Sequence, residues 1–117
     1  MIKIEFDRDS VYVGDDIENH SCSFEVDEKL SINEFINILH SKRYINCGRE
    51  WPWLLQIKKD DNYYRNIALF AKEGKIIKIL GSCKTIGEIV NNYKTKLFYA
   101  KFLAVENLEE AYNFVKN

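Results

Sequence analysis

The sequence predicts an α+β fold: a single domain over residues 1–117, with a mainly antiparallel or mixed sheet of about five to six strands and three short helices. Six runs of residues have the alternating or wholly apolar pattern of strands, and three helix-capping patterns precede amphipathic stripes. The hydrophobic content of 46% in 117 residues suits one core. The predicted order of elements is β-β-α-β-β-β-α-β-α.

Two strands are predicted before the first helix. In residues 1–7, every second residue from Ile2 to Phe6 is apolar and the residues between them are charged, as in a strand with one buried face. Residues 21–26 alternate in the same way. The connection over residues 8–20 is long for a hairpin, which makes it a candidate functional loop.

The helices are predicted from their N-termini. Ser31 and Glu34 have the spacing of a capping box, and the apolar stripe that follows predicts a helix to about Ser41. The same spacing recurs at Thr85 and Glu88 and at Asn107 and Glu110, which predicts a second helix and a C-terminal third helix.

The remaining four strands are predicted over residues 51–58, 63–71, 75–80 and 96–104. Residues 67–70 are apolar on both sides, which favours a central strand. Pro52 lacks an amide proton, so it predicts an edge or a bulge where its strand begins. Turn residues at 60–62 and 73–74 favour antiparallel hairpins.

Composition predicts a cytoplasmic protein without a metal or another cofactor. The three cysteines, Cys22, Cys47 and Cys83, are odd in number and widely spaced, as expected of reduced thiols. There is no C-x-x-C pair to suggest zinc. We find neither a signal peptide pattern nor an apolar run of membrane-spanning length.

The net charge of −1 hides an asymmetry along the chain. Residues 1–34 hold ten acidic and three basic side chains, whereas residues 35–105 hold thirteen basic and five acidic ones. Such a chain either pairs its two halves in the fold or presents a dipolar surface that steers a charged partner.

Residues 8–20 contain the most unusual group of polar side chains. Asp15, Asp16 and His20 suggest a metal site or acid–base catalysis, but Gly14 precedes the Asp pair, which does not fit a Ca²⁺-binding loop. Structural turn chemistry and partner binding are the alternatives. Within the preceding strand, alternation places Asp7 and Asp9 on one side and Arg8 on the other.

Aromatic and basic residues in the middle of the chain raise a third function, the binding of single-stranded nucleic acid. The residues concerned are Trp51, Trp53, Tyr63, Tyr64, Phe98 and Tyr99, with Lys58, Lys59, Arg65, Lys96 and Lys101. The sequence pI of about 6.1 and the lack of an RNP-type segment weigh against it. No nucleophile signature or phosphate-binding Gly motif is present.

The segment R-D-S-V-x-x-G-D-D-x-x-x-H at residues 8–20, preceded by the strand Ile2–Phe6, resembles the opening signature of a family of small bacterial proteins. Its members often carry a Trp-containing strand further on, a role that Trp51 or Trp53 fills here. The family resembles the immunity proteins of contact-dependent growth inhibition and of related polymorphic toxin systems. The resemblance covers about a dozen residues and extends to the rest only in element order.

This resemblance implies a non-enzymatic inhibitor that binds one cognate toxin domain and blocks its active site or substrate groove. An acidic first third fits a basic nuclease toxin. The implied partner-binding residues are Asp7, Asp9, Tyr12, Asp15, Asp16, Glu18 and His20. If the motif instead maintains the fold, the loops at Tyr44–Glu50 and Asp60–Tyr64 become the better candidates.

Overall fold

A computed structural model of the chain describes residues 1–9, 21–42, 45, 52–60, 63–71, 76–103 and 113. The elements are β1 (Ile2–Arg8), β2 (Cys22–Val26), α1 (Ile32–Ser41), β3 (Trp53–Asp60), β4 (Tyr63–Phe70), β5 (Ile76–Ile79), α2 (Ile86–Tyr93) and β6 (Leu97–Phe102).

The six strands form one mixed sheet in the order β2-β1-β6-β3-β4-β5. The pair β1–β6 is parallel, and the other four pairs among the described strands are antiparallel. The predicted α+β class and mixed sheet are therefore confirmed.

Both described helices share one hydrophobic core with one face of the sheet, which we call the first face. Ile4 and Phe6 of β1 point into this core, as the alternation predicted. They meet the apolar stripes of α1 and α2, which begin at Ile32 and Ile86, and Phe35 of α1 lies 5.1 Å from Phe98 of β6 between ring centroids. The apolar face of each helix is thereby removed from water, which stabilises it beyond its own propensity.

The N-termini of the two helices are linked to each other. At α1 the predicted capping box is complete, because Ser31 accepts from the Glu34 amide and Glu34 accepts from the Ser31 amide. At α2, Thr85 accepts from the Glu88 amide, but the Glu88 carboxylate accepts from Lys84 rather than from Thr85. Thr85 forms a β-bridge with Ser31, so the two caps lie side by side.

The third predicted helix lies outside the described residues, apart from Asn113, whose backbone is helical. The described residues therefore contain two helices. Among the described residues, no helix has the length and apolar character needed to cross a membrane.

The prediction that Pro52 marks an edge or a bulge at the start of its strand is wrong. Strand β3 is interior, and its ladder begins at Trp53, so Pro52 lies before the strand, where no ladder amide is needed. A register shift does occur in β3, between Leu55 and Gln56.

Candidate partner-binding surface

We call the side of the sheet opposite α1 and α2 the second face. The alternate residues of β1 that avoid the core point there: Lys3, Glu5 and Asp7. Asp9, which follows β1 directly, continues this alternation. Contacts of Asp9 with Tyr99, and of Tyr99 with Tyr64, show that β6 and β4 contribute to the same face. Part of this face is buried, since Leu54 and Leu69 are at most 3% exposed although neither belongs to the core shared with the helices.

The half of the second face formed by β1 and β2 is acidic. It carries the carboxylates of Glu5, Asp7, Asp9 and Glu25 against the single ammonium of Lys3. Antiparallel pairing sets Glu25 opposite Lys3 and Ser23 opposite Glu5. We call this surface the acidic half; among the described residues it holds a net charge of −3.

Asp9 is engaged within the fold. Its Oδ1 accepts from the Tyr99 hydroxyl, and its Oδ2 accepts from the Phe102 amide at 2.9 Å. The side chain of Arg8 points to the other side of the strand, as predicted, and is 9% exposed. Its guanidinium donates to the Asp9 carbonyl oxygen at 2.9 Å. Asp9 therefore joins β1 to the end of β6.

Asp7 lies between β2 and β6. Burial raises the pKa of the Cys22 thiol, and the nearby Asp7 carboxylate raises it further. Asp7 also lines a groove of about 340 Å³ together with Glu5, Ser21, Cys22 and Ser23. Its Oδ1 accepts from the Arg8 amide at 2.8 Å, so the carboxylate is held at the surface of the sheet.

Tyrosine and lysine side chains occupy the other half of the second face. The Tyr64 and Tyr99 rings meet edge to face with centroids 6.0 Å apart, and Lys58 Nζ lies 5.6 Å from the Tyr64 centroid. Burial is the main cause of a raised pKa at Tyr99, and its hydrogen bond to Asp9 adds to it, so this phenol stays protonated. We call Lys58, Tyr64 and Tyr99 the tyrosine–lysine half.

A second aromatic and cationic group lies where β3 and β4 meet. The Tyr63 ring has Arg65 Cζ at 5.0 Å and Lys59 Nζ at 5.9 Å from its centroid, and Arg65 Nε donates to the Tyr63 hydroxyl at 2.6 Å. Of the aromatic residues singled out in the sequence, Trp53 and Phe98 belong to the core instead.

The structure places two of the predicted site residues, Asp7 and Asp9, on one face. The other five, Tyr12, Asp15, Asp16, Glu18 and His20, lie outside the described residues, as does most of the loop Tyr44–Glu50. Within the described part of the chain, no group of three or more His, Cys, Asp or Glu side chains could hold a metal ion.

Glu5 and Glu25 are residues of this surface that were not predicted from the sequence. The alternation of apolar and polar residues in β1 and β2 was enough to predict which way Glu5 and Glu25 point. Only the strand pairing shows that β1 and β2 are neighbours in the sheet. A wider groove of about 630 Å³ beside α2 is a poorer candidate, because it mixes Glu28 and Glu88 with Lys94 and Lys96.

Comparison of the chain with protein-family models, with curated proteins and with solved structures gave no match.

Proposed function

We propose that the protein is a cytoplasmic immunity protein that binds and neutralises a cognate nuclease toxin domain by covering its active site or substrate groove. The protein performs no chemistry itself and needs no cofactor. The observation that carries the proposal is the acidic half of the second face, where four carboxylates face one ammonium.

A nuclease must attract phosphates, so its substrate groove is basic. An anionic surface on the inhibitor speeds encounter with such a groove and disfavours acidic partners. Exposed Glu5 and Glu25 and half-buried Asp7 supply that surface from β1 and β2. Tyr12, Asp15, Asp16, Glu18 and His20 extend it in the proposal on the strength of the family resemblance.

Co-expression tests this function. The toxin domain encoded immediately upstream of this gene should arrest growth when expressed alone, and this protein should restore growth and copurify with the toxin domain. Arrest that persists with the protein present at equal or higher level would contradict the proposal.

A second candidate function, the binding of single-stranded nucleic acid, is favoured by the cations that lie against Tyr63 and Tyr64. Stacked bases need exposed rings with nearby positive charge, and both rings are more than one third exposed. The adjoining carboxylates of Asp7 and Asp9 repel phosphate, so we rank this function second.

An oligonucleotide distinguishes the two functions. A labelled single-stranded oligothymidine should show no change in anisotropy with the wild-type protein if the first proposal holds. Binding that weakens with salt and is lost in Tyr64→Ala would favour the second candidate.

A further inference from the structure

Strand β2 is an edge of the sheet. Within the described residues it pairs with β1 alone, through a register that sets Cys22 opposite Phe6 and Val26 opposite Ile2. An edge strand presents backbone donors and acceptors that another chain can use.

The pairing on the far side of β1 shows which backbone groups of β2 face outward. The amide of Glu5 donates to Lys96, just before β6, and the amide of Asp9, just after β1, donates to Ala100 of β6. The odd residues of β1 therefore point their backbone groups away from β2. The even residues of β1 therefore bond to their partners Cys22, Phe24 and Val26. The N–H and C=O groups of Ser23 and Glu25 point to the outer edge.

The side chains of β2 define what an added strand must carry. Exposed Ser23 and Glu25 lie on the second face next to Glu5, so a strand beside them would place its side chains against negative charge. On the first face, Cys22 and Phe24 are only half-buried at the margin of the core. A matching strand therefore alternates basic side chains on the second face with apolar side chains on the first face.

We propose that an extended segment of the toxin domain, with alternating basic and apolar side chains, adds to the sheet as a new strand beside β2. This inference rests on the proposed function and names the contact that the toxin makes. The opposite edge fits less well, because β5 carries Lys78 on the second face and would repel a basic strand. The Glu25 side chain disfavours acidic strands at the β2 edge, so the edge selects by charge.

The first experiment uses a peptide, so its result does not depend on the identity of the toxin. A synthetic peptide of about ten residues that alternates Lys and Val matches the length of a strand. In the ¹⁵N-labelled protein it should slow hydrogen exchange at the Ser23 and Glu25 amides. A Glu–Val peptide of equal length should leave both amides unchanged, and the variant Glu25→Lys should reverse the preference. Unchanged exchange at both amides with the Lys–Val peptide would overturn the inference.

The second experiment uses the toxin domain with a matched pair of variants. Ser23→Pro removes the outward N–H. The fold should persist, because that N–H takes no part in the ladder with β1. A melting temperature equal to that of Ser23→Ala would verify this. We expect Ser23→Pro to weaken toxin binding about tenfold or more relative to Ser23→Ala, since it removes one hydrogen bond and obstructs the edge.

The outcomes separate the two proposals. Equal binding by Ser23→Pro and Ser23→Ala would overturn strand addition and leave the immunity function standing. No binding of the toxin by the wild-type protein would overturn the immunity function and, with it, the assignment of the added strand to a toxin. Protection of the two amides by the Lys–Val peptide would then show that the β2 edge accepts a basic strand from another source. Protection of the Ser23 amide in the protein by itself, rising with protein concentration, would assign the edge to a second copy of this chain and overturn the inference.

Discussion

At the scale of single residues, Asp9 shows how much of a candidate site depends on contacts that a sequence does not reveal. Alternation along β1 correctly predicted that Asp7 and Asp9 share a side and that Arg8 points the other way. The partner of Asp9, Tyr99, is 90 residues away along the chain, and nothing in either local pattern joins them. Asp7 and Asp9 point the same way but differ in their availability to a partner, because both carboxylate oxygens of Asp9 accept hydrogen bonds within the fold.

Tyr99→Phe should destabilise the protein by about 1–2 kcal/mol, because it leaves the half-buried Asp9 carboxylate without one charge-assisted hydrogen bond. The pKa of Tyr99 is raised in the fold, so its contribution to stability is present in full below its ordinary pKa of 10.0 and is lost as pH rises above that value. Urea unfolding at pH 8 and pH 11 should show a smaller alkaline loss of stability in Tyr99→Phe than in the wild type. Equal losses would contradict this role of Tyr99.

Gly87 in α2 has a steric role. A Cβ at this position would lie 2.7 Å from the carbonyl oxygen of Glu28, which accepts from the Gly87 amide at 2.9 Å. Gly87→Ala should therefore cost about 1–3 kcal/mol through forced separation of the two segments, despite the better helix propensity of Ala. Asn91→Ala, at an exposed position of the same helix, is the control and should not destabilise the protein in a thermal melt.

At the scale of elements, periodicity and capping predicted the six strands and the two described helices because these signals are local. The helix α1 ends at Ser41 as expected, two residues after its apolar stripe ends at Leu39. The order of strands in the sheet could not be predicted. The first and last strands along the described chain, β1 and β6, are parallel neighbours, and no local sequence pattern indicates this contact. The prediction for Pro52 failed for a similar reason. The missing amide proton excludes Pro52 from a ladder position, but it does not determine whether Pro52 lies inside the strand or before it.

The two adjacent caps make a testable pair. Ser31→Ala and Thr85→Ala should each cost about 1 kcal/mol in denaturant unfolding, since each leaves an N-terminal amide without its acceptor. Asn37→Ala, at an exposed position in α1, is the control and should be close to neutral. A neutral Ser31→Ala would show that the capping box contributes nothing to the stability of α1.

At the scale of the whole molecule, the sheet sorts the charge asymmetry of the chain across one face. The strands β1 and β2 from the acidic first third adjoin at one end of the sheet, and the bases Lys101, Lys58 and Lys78 lie on the same face on the other strands, β6, β3 and β5. The sequence posed a choice between self-pairing and a dipolar surface, and the described part of the second face favours the surface. The acidic half can therefore steer a basic partner toward β1 and β2.

Association kinetics with the upstream-encoded toxin domain test most directly whether the acidic half meets a basic protein partner. Glu5→Lys reverses a charge on the acidic half, and Glu28→Lys makes the same change at an exposed position beside α2. We predict that Glu5→Lys lowers the association rate constant by about fivefold or more at low salt. This difference should shrink at about 0.5 M salt, because salt screens the charges of the two proteins. Glu28→Lys should keep the association rate constant within about twofold of the wild-type value. Equal association rates for the wild type, Glu5→Lys and Glu28→Lys at low salt would contradict the account.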